Sequence, residues 1–258
     1  MTAKQRLCLL LGKNHSQYGE VSYCHVDKNI ACAITVGSDK KSPSLIFKGN
    51  DVELNEDAVL AVQHGNKLLL AIADAHFGIW ASHSIISGLS KWVDKIEDLS
   101  SLYLLLQKLC DEHRDASKRS ETTLAVISLN LVTGEGFGIS FGDSSVLIAG
   151  PSNLRRLNSK NSVYVSLNTA SLLNADIADE FKFRLVSGEC LVVFTDGIDE
   201  CHYGSPETSV TDEIVHELAI KSMCDIDAFI KELVSTALKG VNGNPGGQDN
   251  IAMAGISF

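Results

Sequence analysis

A short apolar stretch that ends in acidic residues is the feature of this sequence that most constrains its fold. Residues 190–195 read CLVVFT and are followed directly by Asp196 and Gly197. An apolar, β-branched run closed by a turn signal predicts a buried β-strand. The carboxylate that follows then lies at a sheet edge, where metal ions and ligands are commonly held. An ordinary Asp-Gly turn explains this stretch alone equally well.

The same arrangement, an apolar strand bounded by an aspartate, recurs three more times. Asp57 precedes AVLAVQ, Asp74 follows LLLAIA, and Asp249 lies just before the final run IAMAGISF. A hairpin folded about residues 65–66 places Asp57 opposite Asp74, at about 5 Å, where like charges are destabilising. A shared divalent cation is the simplest reason for such a pair. A slipped register or frayed strand ends are the alternative.

Two further pairings bring carboxylates to one end of the predicted sheets. If the strand before Asp196 pairs antiparallel with the strand after Asp249, both carboxylates lie at the same sheet end. A second predicted hairpin, turning at residues 132–134, brings Asp143 to the end where its first strand begins, and Glu56 adjoins Asp57. Oxygen ligands without a Cys/His cluster favour magnesium or manganese over zinc.

Composition limits the class of protein. The 258 residues are 45% hydrophobic, which predicts a globular chain of one large or two small domains. The net charge of −10, without a dense basic patch, argues against a nucleic-acid partner. No apolar run is long enough to span a membrane, and residues 7–11 are too short a run for a signal peptide. The seven scattered cysteines predict reduced thiols in a cytoplasmic protein.

Helical periodicity and polar character predict the remaining segments. The predicted helices are 79–96, 98–119, 211–223 and 225–239, and early strands are predicted at 20–26, 30–36 and 44–48. His83 and His113 are predicted to face solvent. Segment 151–180 is polar, with a short helix predicted at 169–178, and we interpret it as a candidate flap over the site.

Six short motifs, in order along nearly the whole chain, resemble those of the metal-dependent protein phosphatases of type 2C. They are Asn55-Glu56-Asp57, Asp74-Ala75-His76-Phe77-Gly78, Thr122-Thr123-Leu124, Gly142-Asp143-Ser144, Thr195-Asp196-Gly197 and Gly247-Gln248-Asp249-Asn250. Any one of them is a weak signal, but six in order are a specific one. The resemblance implies an α+β fold, a β-sandwich of two antiparallel sheets flanked by helices on both sides, as a single phosphatase-like domain over 1–258.

The resemblance also implies a centre with two Mn²⁺ or Mg²⁺ ions. In that scheme Asp74 bridges the two ions. Glu56 and the Ala75 carbonyl complete one ion, and Asp196 and Asp249 complete the other. A hydroxide held between the ions attacks phosphorus in line, and the ions neutralise the developing charge.

Three more residues receive roles from the resemblance. Asp57 binds metal-held water, and Asp143 binds a looser third ion. His76 protonates the leaving serine or threonine oxygen as general acid. A histidine that only caps a helix or packs is the alternative for His76.

The sequence departs from the family pattern at several positions. Val52 stands where an arginine usually grips the substrate phosphate, and the loss of a bidentate guanidinium predicts weaker phosphate binding. Lys48 is a candidate substitute. Ser145 replaces the arginine of the Gly-Asp-Ser-Arg motif. Ala75 and Phe77 stand where small glycines are usual, and Phe77 would narrow the site.

The leading hypothesis is therefore a bacterial-type phosphatase that removes phosphate from serine or threonine in another protein, the target of a serine/threonine kinase. It is expected to be a monomer without nucleic-acid or membrane partners. The alternative is a phosphatase-like module that binds metal or a partner without turnover. The absent arginine supports this alternative, whereas the complete acidic set and His76 oppose it.

Overall fold

The computed structural model describes residues 5–38, 54–118, 120–168, 173 and 176–258. Its strands are β1 (Arg6–Leu11), β2 (Ser22–Asp27), β3 (Ile30–Thr35), β4 (Ala58–His64), β5 (Lys67–Ala73), β6 (Ala75–His76), β7 (Glu121–Thr122), β8 (Leu124–Asn130), β9 (Glu135–Phe141), β10 (Ser145–Ala149), β11 (Leu154–Arg156), β12 (Val165–Ser166), β13 (Asp179–Arg184), β14 (Cys190–Phe194) and β15 (Ile251–Ser257). Its α-helices are α1 (Trp80–Leu89), α2 (Leu99–Glu112), α3 (Asp212–Lys221) and α4 (Ile226–Lys239).

Two six-stranded antiparallel sheets form the centre of the fold. The first sheet has the order β1-β4-β5-β8-β9-β13, and the second has the order β11-β10-β14-β15-β3-β2. Helices α1 and α2 pack on the outer face of the first sheet, and α3 and α4 pack on the outer face of the second. This α+β sandwich, with two antiparallel sheets between layers of helices, confirms the predicted fold class.

The apolar runs are continuous because both faces of each sheet are covered. In β4, Ala58, Leu60 and Val62 pack toward the helices, whereas Val59 and Ala61 pack between the sheets. Side chains alternate across a strand, so a run such as AVLAV supplies two separate cores at once.

The first two helices are shorter than their periodicity predicts. Helix α1 ends at Leu89 instead of residue 96, and a short 3-10 turn follows at Val93–Lys95. The hydroxyl of Ser90 bonds the carbonyl of Ser87, which competes with continued helix formation. Helix α2 starts at a capping box formed by Asp98 and Ser101, and it ends at Glu112 instead of residue 119.

The predicted exposure of His83 is wrong. Its side chain is only 6% exposed, and its Nε2 accepts a hydrogen bond from the backbone N–H of Lys13. The proton of the neutral ring therefore lies on Nδ1, beside the Ser82 hydroxyl. Burial, with the nearby charge of Lys13, lowers the pKa of His83 to about 4. His113 is partly buried.

The prediction that every cysteine is reduced is wrong for one pair. Cys8 of β1 and Cys24 of β2 form a disulfide, with Cα atoms 5.8 Å apart. Strands β1 and β2 are outer strands of different sheets, so the bond ties the two sheets together along one side. The other five cysteines are buried free thiols, as predicted.

The described part of segment 151–180 contains the short strands β11 and β12 and the first two residues of β13. Strand β11 pairs with β10, and β12 pairs with β7 in a small third sheet. Most of the helix predicted at 169–178, and the strand predicted at 44–48, lie outside the described residues. Among the described helices, none is both long and apolar enough to cross a membrane.

Candidate functional site

The strand registers bring the sequence-predicted acids to one end of the sandwich. In the first sheet Ala58 pairs with Ala73, so Asp57 and Asp74 lie across from each other, one position beyond that pair. In the second sheet Phe194 pairs with Met253 in antiparallel register. Asp196 therefore follows the end of β14 close to where the chain enters β15 from Asp249.

Three hydrogen bonds, each between a backbone group and a side chain, hold the segment that carries Asn55, Glu56 and Asp57. The Glu56 N–H donates to Oδ1 of Asn250 (3.1 Å), and its carbonyl accepts from the Ser82 hydroxyl (2.7 Å). Oε1 of Glu56 accepts from the Gly78 N–H at 2.7 Å. The first and last acidic motifs are thus fixed to each other and to the start of α1.

Two threonines hold the backbone around Asp74. The Thr122 hydroxyl and the Thr123 N–H both donate to the Asp74 carbonyl, at 2.9 and 2.8 Å. The Thr123 hydroxyl accepts from the Asp74 N–H at 3.0 Å. These bonds fix the backbone from which the Asp74 side chain projects, directly after β5.

Asp57 is completely buried and contacts the second sheet. Its Oδ2 accepts a hydrogen bond from the Thr195 hydroxyl at 2.9 Å, and the same hydroxyl accepts from the Ala252 N–H at 2.9 Å. The Thr195 hydroxyl thus links the Ala252 N–H of β15 to the carboxylate of Asp57.

Asp196 lies where the acidic charge is most concentrated. Burial raises the pKa of Asp196 well above its usual value, and the carboxylates of Asp74, Asp249, Asp143 and Asp199 raise it further. Its Oδ1 is shielded from solvent and has no hydrogen-bond partner among the described residues. A partly buried carboxylate surrounded by like charges is a costly arrangement that a bound cation would relieve.

The acidic side chains around Asp196 are spaced more widely than the ligands of a bound metal ion. Within the described part of the chain, no three Asp, Glu, His or Cys side chains come together as a ready-made cage. The donors nevertheless suit a hard divalent cation, because they are carboxylate and carbonyl oxygens. The shielded Oδ1 of Asp196 points to the same conclusion, so the residues fit Mn²⁺ or Mg²⁺ in chemical type.

Asp143 lies beyond the paired end of the second hairpin. Leu124 pairs with Phe141, so Asp143 is two positions past that pair, at the end from which β8 starts. The preceding Gly142 exchanges two hydrogen bonds of 2.9 Å with Asn161. Segment 151–180 is therefore attached directly beside Asp143.

His76 stands at the rim of this acidic region. Its side chain is 37% exposed, and Nδ1 lies 3.8 Å from Oε1 of Glu121. The ring packs edge-on against Tyr164, with centroids 4.8 Å apart. Burial and the charges of Asp143 and Asp196 raise the pKa of Tyr164, which places this tyrosine of segment 151–180 beside the same acids.

Ala75 and Phe77, which stand where the type 2C phosphatase pattern has glycine, differ from each other in backbone conformation. Ala75 lies in β6 and is buried. Phe77 adopts the left-handed conformation (φ 62°), with its side chain 54% exposed. This conformation is uncommon for a bulky residue and marks the turn between β6 and α1 as strained.

A polar network that the sequence analysis missed lies behind Asp196. Ser145 donates from its hydroxyl to Oδ2 of Asp199 (2.7 Å), and Lys160 donates to Oδ1 (2.8 Å). Arg156 of β11 donates from Nη1 to the Ser145 hydroxyl (2.7 Å) and pairs with Asp212. Burial raises the pKa of Asp199, although Lys160 opposes the rise.

One departure from the family pattern lies in this network. Ser145 stands where that pattern has arginine, and Arg156 of the adjacent strand β11 donates to the Ser145 hydroxyl. The Asp199 signal was present in sequence, since it closes the Asp-Gly-Ile-Asp turn, but the pairing of β10 with β11 was not predictable from spacing. Val52 and Lys48 lie outside the described residues.

Solved structures of known proteins share this fold. The PPM Ser-Thr phosphatase MsPP from Mycobacterium smegmatis, in complex with cacodylate, matches with a TM-score of 0.64 and 18% identity, over 89% of this chain and 97% of that one. The catalytic domain of PstP with two manganese ions matches with a TM-score of 0.62 and 17% identity, over 92% and 97% of the two chains.

A third structure, RsbX in complex with magnesium, matches with a TM-score of 0.55 and 14% identity, over 92% of this chain and 99% of that one. No protein-family model matches the chain, and no curated protein matches it in sequence. At these identities the likeness shows the fold. It confirms, at that level, the resemblance to the metal-dependent phosphatases that the motifs indicated.

Proposed function

We propose that this protein is a metal-dependent phosphatase that hydrolyses phosphoserine or phosphothreonine in other proteins. The observation that carries the proposal is the concentration of carboxylates around Asp196, at the end of a sandwich that PPM phosphatases share. Such a cluster is costly for stability unless it serves to bind cations, and divalent cations are what phosphoryl transfer requires.

The proposed metal ligands are the strand-end acids. Asp74, Asp196 and Asp249, with Glu56 and the Ala75 carbonyl, would hold two Mn²⁺ or Mg²⁺ ions. Asp57 would act through a coordinated water, and Asp143 would hold a third ion. When bound, these ions polarise the phosphoryl oxygens and neutralise the charge that develops as the phosphate ester is cleaved.

His76 is the proposed general acid. Its ring is accessible at the rim of the acidic region, so it can reach the leaving oxygen of a phosphorylated side chain in a large substrate. Glu121 and Tyr164 flank the ring and restrict its orientation. A general acid must lie within hydrogen-bond reach of the leaving oxygen, which the position of His76 at the rim of the acidic region allows.

Segment 151–180 is the proposed flap of a single domain that spans 1–258. Lys160, Asn161 and Tyr164 all approach the acidic end of the sandwich, which supports this role. The proposed partner is the phosphoprotein product of a serine/threonine kinase. Bacterial origin, the monomeric state and the cytoplasmic location stay predictions. The Cys8–Cys24 disulfide argues against the cytoplasmic location, because disulfides persist mainly in oxidising compartments.

The test is hydrolysis of a phosphothreonine peptide with Mn²⁺, Mg²⁺ or EDTA. We expect turnover with a divalent cation, none in EDTA, and a loss of more than about hundredfold in Asp196→Asn, because outer-sphere changes alone cost metalloenzymes about 10–100-fold. Asp111→Asn, on the exposed surface of α2, is the matched control and should retain full activity.

A binding module without turnover is the second candidate. Phe77 favours it, because a bulky, exposed side chain in a strained backbone conformation stands where a small glycine is usual. Metal binding by calorimetry, abolished in Asp196→Asn, together with no hydrolysis of peptide or p-nitrophenyl phosphate, would select this candidate.

A further inference from the structure

A wide groove lies next to the acidic site, between the end of β1, helix α1 and the segment that carries His113, Ser117, Lys118 and Ser120. Its volume is about 760 Å³, within the range of ligand-binding pockets. We call it the lysine groove, after Lys13, Lys91 and Lys118, which lie on different segments of the chain. Phe77 and Trp80 also line it.

The charge of the lysine groove is opposite to that of the chain. The whole sequence carries a net charge of −10, yet no Asp or Glu is among the described residues that line the groove. His83 also lines it but is neutral at pH 7, because burial lowers its pKa to about 4. Lys13, Lys91 and Lys118 are exposed and lie on three different segments of the chain. The nearby Asp115 carboxylate, which is not in the lining, bonds the lining residue Ser117.

The lysine groove contains an aromatic ring, ammonium groups and hydroxyls that could contact a bound peptide. The indole Nε1 of Trp80 donates to the His113 carbonyl at 3.1 Å, which fixes the ring. The Lys118 ammonium lies 4.7 Å from the ring centroid of Trp80. Several serines, including Ser84 and Ser87, add hydroxyls to the lining. A fixed aromatic surface with cations and hydroxyls around it suits an acidic peptide better than an apolar ligand.

The groove adjoins the proposed active site through residues 77 and 78. Phe77 and Gly78 line it, and they follow His76 directly in the chain. The Gly78 N–H also bonds Glu56, one of the proposed metal ligands. A peptide whose phosphorylated residue reaches His76 therefore has its neighbouring residues at the mouth of the groove.

We propose that the lysine groove binds an acidic stretch adjoining the phosphorylated residue of the protein substrate. This inference rests on the proposed function. It assigns substrate affinity to the residues beside the phosphate, in a chain that has Val52 at the position of the usual phosphate-gripping arginine. The substrate class is a phosphoprotein with Asp or Glu close to the phosphorylated residue.

Binding can be measured without catalysis. A labelled, unphosphorylated peptide rich in Asp and Glu is titrated with the protein in EDTA, and its fluorescence anisotropy is recorded. We expect saturable binding that weakens about tenfold in the triple variant Lys13→Gln, Lys91→Gln, Lys118→Gln, because each exposed charge contributes modestly, and that weakens in 0.5 M salt. The matched triple variant Lys28→Gln, Lys182→Gln, Lys239→Gln should bind as the wild type does. Equal affinity in the two triple variants would overturn the inference.

Turnover gives the second measurement. Two phosphothreonine peptides, identical except for Asp and Glu versus Asn and Gln beside the phosphothreonine, are compared by kcat/KM. We expect kcat/KM to be about tenfold higher for the acidic peptide. In the triple variant Lys13→Gln, Lys91→Gln, Lys118→Gln, the two peptides should have nearly equal kcat/KM. Hydrolysis with no preference in the wild type would overturn the groove and leave the phosphatase standing. No hydrolysis of either peptide would overturn the phosphatase, and the anisotropy result would still decide the groove.

Discussion

The hydroxyl of Thr195 lies 2.9 Å from Oδ2 of Asp57 and donates a hydrogen bond to it. Thr195 directly follows β14 of the second sheet, and Asp57 directly precedes β4 of the first. The bond is therefore a direct polar link between the two sheets at the acidic end. It also fixes the orientation of a carboxylate that has no contact with solvent.

Replacing Thr195 by Val tests this link. Valine has the same shape but cannot donate to Asp57 or accept from the Ala252 N–H, so we expect a loss of about 2 kcal/mol in the free energy of unfolding. Urea unfolding in EDTA measures it. Thr195→Ser keeps the hydroxyl and should lose about 1 kcal/mol, for the methyl group. An unchanged free energy of unfolding in Thr195→Val would show that the hydrogen bond contributes nothing.

Gly197 allows the turn after β14 to pack on the chain that enters β15. A Cβ at this position would overlap the carbonyl oxygen of Asn250. We expect Gly197→Ala to lower the free energy of unfolding by about 3 kcal/mol, because the two backbones must separate. Gly150→Ala is the control, since its nearest atoms would be 3.3 Å away. Similar melting temperatures for the two variants would contradict this packing.

The buried His83 predicts an acid-dependent loss of stability. Its folded pKa of about 4 lies below the ordinary value of 6.5, so between these pH values the unfolded chain binds the extra proton. Stability is full above pH 6.5 and falls as the pH drops toward 4. The part due to His83 is about 2 kcal/mol between pH 7 and pH 5.

Urea unfolding at pH 7 and pH 5 measures this dependence. His83→Leu should show a smaller difference between the two pH values, whatever its stability at pH 7. Lys28→Gln, an exposed surface change that does not titrate between pH 5 and 7, should retain the wild-type difference. An unchanged difference in His83→Leu would show that another group carries the acid sensitivity.

The Cys8–Cys24 disulfide predicts that the oxidised protein is the more stable form. It closes a loop with a sequence separation of 16, and its loss should cost about 3 kcal/mol through the entropy of the unfolded chain. Cys24→Ser and wild type with dithiothreitol should therefore unfold at the same, lower urea concentration. A thiol assay of the unfolded, unreduced protein should find the five free cysteines. A count of all seven cysteines would contradict the disulfide.

The candidate site could be predicted from sequence where it depends on local pairing. The hairpin about Gly65 has one register that keeps its apolar residues buried on both faces, so the opposition of Asp57 and Asp74 followed from the strand lengths. The position of Asp196 beside Asp249 needed only the assumption of antiparallel pairing. The exposure of His83 was predicted wrongly, because it depends on the distant Lys13 backbone.

The sequence by itself determined the strands, their two-sided burial and the strand ends that carry acids, because alternation and turn residues act over a few neighbouring positions. Only the tertiary structure decided which distant groups meet there. Arg156 reaches Ser145 from the adjacent strand, Thr195 links the two sheets through Asp57, and lysines from three segments form one groove. These contacts join residues far apart in the chain, and their geometry depends on how sheets and helices pack, which no local pattern specifies.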